Sequence, residues 1–260
     1  NFAKLANKDA KPFGDIRVIA NSADTNYSYL PEITAEMIDQ DAAYLHMTTN
    51  NTIYGSRYNK FPDTGKVPLI ADQTSEILSR VIDYSKFGCI YAGLQKNLGP
   101  AGTAIVVIRE DLLGHASPET PVLLNYEQCA KDNSLTNTAN TFAIYVTGLV
   151  LDWLQEQGGV AAIEKVNEQK AKTLYDVIDA GDYYRGVIQA EFRGTMNVSF
   201  NLPSEELEAK FLKEAGALGL YALKGHRSVG GIRASIYNAM PLAGVEVLAG
   251  FMKEFESKNG

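Results

Sequence analysis

The sequence is poor in sulfur and histidine and has no excess of positive charge. Two cysteines, Cys89 and Cys129, occur in 260 residues, too few for a disulfide framework and without the CxxC spacing of a metal pair. They are expected to pack as small apolar residues in a reducing compartment, which points to the cytoplasm. His46, His115 and His226 lie far apart with no HxxxH spacing, so no metal site is predicted. A formal net charge of −7 excludes a protein built around a broad basic face for nucleic acid or anionic membrane. No run approaches the roughly 20 apolar residues of a membrane helix. The opening stretch NFAKLANKDAKPFGD has lysines with no apolar core behind them, so it is not a signal peptide. It lacks an initiator Met and reads as the middle of a helix, and the chain is expected to be part of a longer protein. Repeats and low-complexity tracts are lacking too.

What is present is an ordinary globular composition, 45% hydrophobic and 21% charged, with enough apolar material for a sizeable core. DIRVIA (15–20) and AAYLHMTTN (42–50) read as strands. KVPLIADQTSEI (66–77) is a buried run that stops at Asp72, and FGCIYAGLQ (87–95) and GTAIVVIRE (102–110) are two more buried strands. Short helical or loop segments such as SEILSRVIDYSK (75–86) lie between them. The alternation predicts an α/β fold with a mostly parallel sheet covered by helices on both faces.

From Thr141 the period lengthens. TFAIYVTGLVLDWLQEQGG is a long helix stopped by Gly158-Gly159, and VAAIEKVNEQKAKTLYDVIDAG is another. A strand (192–202), a helix with Ser204 as N-cap, a strand (231–238) and a last helix then form a smaller C-terminal α+β unit. The boundary is placed near Gly158, with residues 1–158 as the large domain and 159–260 as the small one.

Lys96 is the first residue whose setting asks for chemistry. A lysine at a strand end ordinarily snorkels to water. This one follows a buried strand, where open α/β sheets place ligands. It has glycines at 93, 99 and 102 that permit close backbone approach. Desolvation there would lower its pKa and make it an amine nucleophile suited to a Schiff base with an aldehyde cofactor. Asp72, at the end of the preceding strand, either caps the segment QTSEILSRV or pairs with a protonated pyridine nitrogen. LKGHRSVGGIRAS (223–235) gathers Lys224, His226, Arg227 and Arg233 among glycines. Such a run is either a solvated charge cluster or an anion site for carboxylate and phosphate. LTNTANTF (135–142) supplies Asn137, Thr138, Asn140 and Thr141 ahead of the long helix, as caps or as donors to a phosphate. Trp153 reads as core.

Together, HMTTNNTIYG (46–55), ADQTSEI (71–77), QKNLGPAG (95–102), NTANTFAIY (137–145) and GHRSVGGIRASIYNAMP (225–241) resemble the phosphoserine aminotransferases. These are fold-type I, class-V pyridoxal-phosphate enzymes, and the match is collinear over nearly the whole chain. The resemblance implies pyridoxal 5'-phosphate as cofactor, bonded by Lys96, with Asp72 on the pyridinium nitrogen. Thr52 would lie on the phenolic-oxygen side of the ring and Gln95 at the phosphate. Asn137 and Thr138 would reach the phosphate held by the other subunit of a homodimer. Arg233 would hold the substrate α-carboxylate, and His226 and Arg227 the substrate phosphate. The implied reaction takes glutamate and 3-phosphohydroxypyruvate to 2-oxoglutarate and phosphoserine, in serine biosynthesis. The family also has a small-residue loop cradling the cofactor phosphate and an aromatic ring stacked on the cofactor, and neither is found by sequence in this chain. Two other readings stay open at this point: a related transaminase of alanine–glyoxylate type, and a non-catalytic assembly module.

Overall fold

Strand β4 (Leu69–Asp72) is the centre of the part of the chain that carries the lysine, and its neighbours explain where the chemistry lies. The structure is a computed structural model that describes residues 2–260. Helix α1 (Phe2–Ala10) leads through an irregular stretch to β1 (Leu45–Thr48), the short hairpin pair β2 (Asn50–Asn51) and β3 (Ser56–Arg57), β4 itself, β5 (Cys89–Gly93) and β6 (Ala104–Ile108). The main sheet has the order β1-β4-β5-β6, parallel between the first three and antiparallel between β5 and β6. It is mixed and mostly parallel, as the α/β pattern predicts.

Side chains alternate across a strand, and β4 obeys this. Leu69 and Ala71 turn to one face and pack with Met47, Ile82, Phe87 and Ile90. Ile70 and Asp72 therefore turn to the other face. The register sets Thr48 and Tyr91 on either side of Asp72 there.

Two expectations are corrected. Residues 15–20 form no strand, and Val18 is exposed; no strand edge lies beside them to take their backbone bonds. Strand β6 is not buried: Ala104–Val107 are exposed, because among the described residues no helix packs closely over it. Of the two forms left open for residues 75–86, helical or loop, the structure has the loop: turns that end in a 3-10 turn, Tyr84–Lys86. Leu78 has a left-handed φ of 55° there, which a right-handed helix cannot contain.

The second half keeps close to its period. Helix α2 (Tyr126–Lys131) and helix α3 (Thr141–Glu156) precede helix α4 (Gly159–Ile178). Gly158 (φ 91°) and Gly159 (φ 77°) make the left-handed turn between α3 and α4. Strands β7 (Arg185–Gly186), β8 (Asn197–Asn201) and β9 (Ile232–Ser235) form an antiparallel sheet, with helix α5 (Glu205–Ala217) before β9 and helix α6 (Leu242–Asn259) after it. Ser204 caps α5 by accepting from the Leu207 N–H at 3.3 Å. The largest apolar cluster lies wholly within residues 171–255. Its Phe200, Phe211, Phe255 and Tyr184 meet mostly edge-on, each buried ring contributing roughly 2–3 kcal/mol.

Helix α3 behaves differently. Of its sixteen residues only Ala143 and Leu154 are buried, while Phe142, Ile144, Tyr145 and Leu149 are at least half exposed. No helix among the described residues is long and apolar enough to cross a membrane.

Candidate active site

Lys96 lies in the turn after β5, and its Nζ donates a 2.7 Å hydrogen bond to Thr52 Oγ1. Thr52 is buried in the turn between β2 and β3, so two loops at the carboxyl ends of β1 and β5 meet at the ammonium. Burial pulls the Lys96 pKa down from 10.5 to about 8; Asp72 pulls it up and Arg233 pushes it down, both less strongly. The charges of Asp72 and Arg233 thus both reach the half-buried Lys96 amine. A lysine at about 8 is neutral roughly 300 times more often at pH 7 than one at 10.5.

Asp72 is half-buried and oriented. Its Oδ1 accepts from the Thr74 N–H at 2.9 Å, and Thr74 Oγ1 accepts from the Gly93 N–H at 3.2 Å, which ties the carboxylate to the strand leading to Lys96. One oxygen of Asp72 thus closes the turn that follows β4. Below it, His46 Nε2 shares a 2.9 Å hydrogen bond with Tyr91 OH. Burial lowers the His46 pKa although Asp72 pulls it up, and burial raises the Tyr91 phenol. Arg233 is half-buried on β9, and its Nε is buried without a partner. Thr48 Oγ1, in register with Asp72, is likewise buried and unpartnered.

The other predicted residues are more scattered. Gln95 is exposed, its amide over Gly93, where a Cβ would collide with it. His226 and Arg227 lie in the loop between α5 and β9; His226 Nδ1 is 2.7 Å from Ser228 Oγ, and Arg227 is exposed. Gly231 in this loop has φ 65°, and a side chain there would run into the Phe200 carbonyl. Asn137 and Thr138 are exposed just ahead of α3. No hydrogen bond ties them to the Lys96 group among the described residues. Asn140 caps α3 by accepting from the Ala143 N–H at 3.1 Å, as one residue of that stretch was expected to do.

Sequence reasoning missed an aromatic ring. Phe2, on α1, has its centroid 5.6 Å from Lys96 Nζ. Nothing in the local pattern of NFAKLANKDA marks Phe2, because 94 positions separate the two in sequence. Among the described residues no group of three or more His, Cys, Asp or Glu is placed to hold a metal ion.

The class-V aminotransferase family matches residues 3–248. A phosphoserine aminotransferase of Bacillus cereus is 50% identical over 259 residues, covering all of this chain and 72% of that protein. The solved phosphoserine aminotransferase of Bacillus circulans subsp. alkalophilus superposes with a TM-score of 0.97 at 46% identity, over 100% of this chain and 72% of that one. A pyridoxal-phosphate-bound phosphoserine aminotransferase from Trichomonas vaginalis has a TM-score of 0.91 at 36% identity, over 97% of this chain and 73% of that one.

Proposed function

We propose, for a chain that belongs to the class-V aminotransferases and within them to the phosphoserine aminotransferase family, that Lys96, Asp72 and Arg233 form its transaminase centre. The protein is a pyridoxal-phosphate-dependent transaminase. The observation that carries the assignment is the Lys96 amine, fixed on Thr52, lowered to about 8 and set within the fields of Asp72 and Arg233.

The residues fit the cofactor. An amine of lowered pKa, a carboxylate with one oxygen to spare, a ring at Phe2 and the unpartnered hydroxyl of Thr48 surround one crevice. The cofactor, when bound, supplies an aldehyde that bonds an amine and a ring that accepts an electron pair. Asp72 keeps a proton on the pyridine nitrogen, which a carboxylate does by charge and hydrogen bond. Lys96 Nζ is neutral often enough near pH 8 that it would take the proton from the substrate α-carbon and, once protonated, would deliver it to the carbon that was the cofactor's aldehyde carbon. Thr52 Oγ1 holds Nζ in place by accepting its hydrogen bond. Arg233, with Nε free, binds the α-carboxylate of glutamate. His226 and Arg227 recognise the phosphate of 3-phosphohydroxypyruvate, and Gln95 the cofactor phosphate.

We further infer a cytoplasmic homodimer divided near Gly158 into a large and a small domain. The exposed apolar side chains of α3 support a second copy packing there. That arrangement carries Asn137 and Thr138, at the head of the same helix, toward the partner's cofactor phosphate.

The test is to add pyridoxal phosphate, reduce with borohydride and map the modified peptide by mass spectrometry. Label is expected on Lys96. No label, or label on another lysine, overturns the assignment.

A further inference from the structure

Three successive backbone carbonyls in the turn beyond Asp72 each accept a hydrogen bond from a different asparagine. Asn97 Nδ2 donates to Ile77 O at 3.0 Å, Asn238 Nδ2 to Leu78 O at 2.9 Å, and Asn167 Nδ2 to Ser79 O at 2.9 Å. The donors are linked to one another. The Asn238 N–H donates to Asn97 Oδ1 at 3.1 Å, and Asn167 Nδ2 also donates to Asn238 Oδ1 at 2.9 Å. All three asparagines are buried. The central residue of the turn, Leu78, has φ 55°, a conformation that costs a non-glycine residue energy and persists only where surroundings enforce it.

The sequence positions of these groups matter more than their number. The turn begins five residues after Asp72, Asn97 comes directly after Lys96, and Asn238 lies five residues after Arg233. Three segments distant in sequence are thus pinned at one buried point, each just downstream of one charged group of the crevice. A fourth anchor stiffens the last segment: Lys170 Nζ donates to the carbonyls of Ile236, Tyr237 and Met240 at 2.9–3.0 Å. Buried amides that satisfy backbone groups resist displacement, because each broken bond leaves a desolvated carbonyl.

We propose that Asn97, Asn167 and Asn238 are positioning residues, an amide clamp that sets the spacing of Lys96, Asp72 and Arg233. They touch no reacting atom and act through the segments they hold. The clamp keeps Arg233 close enough to Lys96 to be felt there. The inference rests on the assignment of Lys96 as the reactive amine.

The experiment reads Lys96 without cofactor. The rate of acylation of Lys96 by a small anhydride is followed against pH, resolved by site with mass spectrometry, in the full chain and in N238A. The Asn238 side chain makes no hydrogen bond to Lys96, whose Nζ donates to Thr52, so a change at the lysine is passed through the segments the clamp holds. In the unaltered chain the midpoint is expected near 8. In N238A it rises by about one pH unit, as Arg233 moves off and water enters. N59A serves as control; it cuts the exposed bond from Asn59 Nδ2 to Glu191 O, outside the clamp, and leaves the midpoint in place. If N238A does not fold, N167S, which removes the bonds to Ser79 O and Asn238 Oδ1, is read in the same way. A folded clamp variant with an unmoved midpoint overturns the proposal. Failure of pyridoxal phosphate to label Lys96 in the unaltered chain overturns the assignment instead, and the two failures are separately visible.

Discussion

Lys170 offers a test of the packing that supports β9. It is fully buried on α4, no carboxylate pairs with it among the described residues, and its Nζ donates to the carbonyls of Ile236, Tyr237 and Met240. Burial drives its pKa from 10.5 to about 8, which corresponds to a desolvation penalty of about 3 kcal/mol at neutral pH. In K170M that penalty disappears, but three carbonyls lose their donor at about 1–3 kcal/mol each. The lost donors outweigh the relieved charge, and K170M should be less stable by roughly 2–3 kcal/mol at pH 7. For a chain of this length the thermal midpoint should fall by roughly 5–10 °C. The pH dependence gives a sharper check. Between pH 8 and 10.5 the folded state holds neutral Lys170 while the unfolded chain still binds its proton, so stability gained from this group rises with pH across that window. Below pH 8 the penalty is complete. The stability difference between the unaltered chain and K170M should therefore widen from pH 7 to pH 9.5. Lys96 titrates in a similar range but is present in both proteins, so the difference isolates Lys170. Urea unfolding followed by circular dichroism at several pH values gives the numbers. A difference that stays flat with pH would refute the reasoning, because it would mean that water reaches the Lys170 amine.

Asp72→Asn keeps an oxygen for the Thr74 N–H, so the turn should survive, but it removes the negative charge that raises the Lys96 pKa. The Lys96 midpoint should fall below 8 in the acylation titration, and transamination should drop at least about a hundredfold; an unmoved midpoint would place Asp72 too far from the lysine to serve it. Arg227→Ala, at an exposed loop position, should raise the KM for 3-phosphohydroxypyruvate about tenfold or more and barely alter that for an unphosphorylated 2-oxo acid. Equal effects on both would remove Arg227 from phosphate recognition.

How much of this was legible in the sequence depends on the range over which each feature is decided. Helices α4, α5 and α6 were readable because their period, their glycine stops and the Ser204 cap lie within a few residues of one another. Lys96 and Asp72 stood out as candidates because charged groups are conspicuous where apolar runs end. Residues 15–20 were misread because a run of Val and Ile does not say whether a neighbouring edge exists, and 75–86 stayed open between helix and loop because nothing local says that Leu78 turns left-handed. Leu78 is held that way by an amide 160 positions away. The closeness of Phe2 to Lys96 has the same character, as does the bond from Asn50 Nδ2 to Asn197 Oδ1 that joins residues 147 apart. Residue type at a reacting position is constrained locally by the chemistry, so it leaves a local mark. The spacing between such positions is constrained by bonds between distant segments. The amides that make those bonds, at Asn97, Asn167 and Asn238, look in sequence like ordinary polar residues until the fold brings their partners to them.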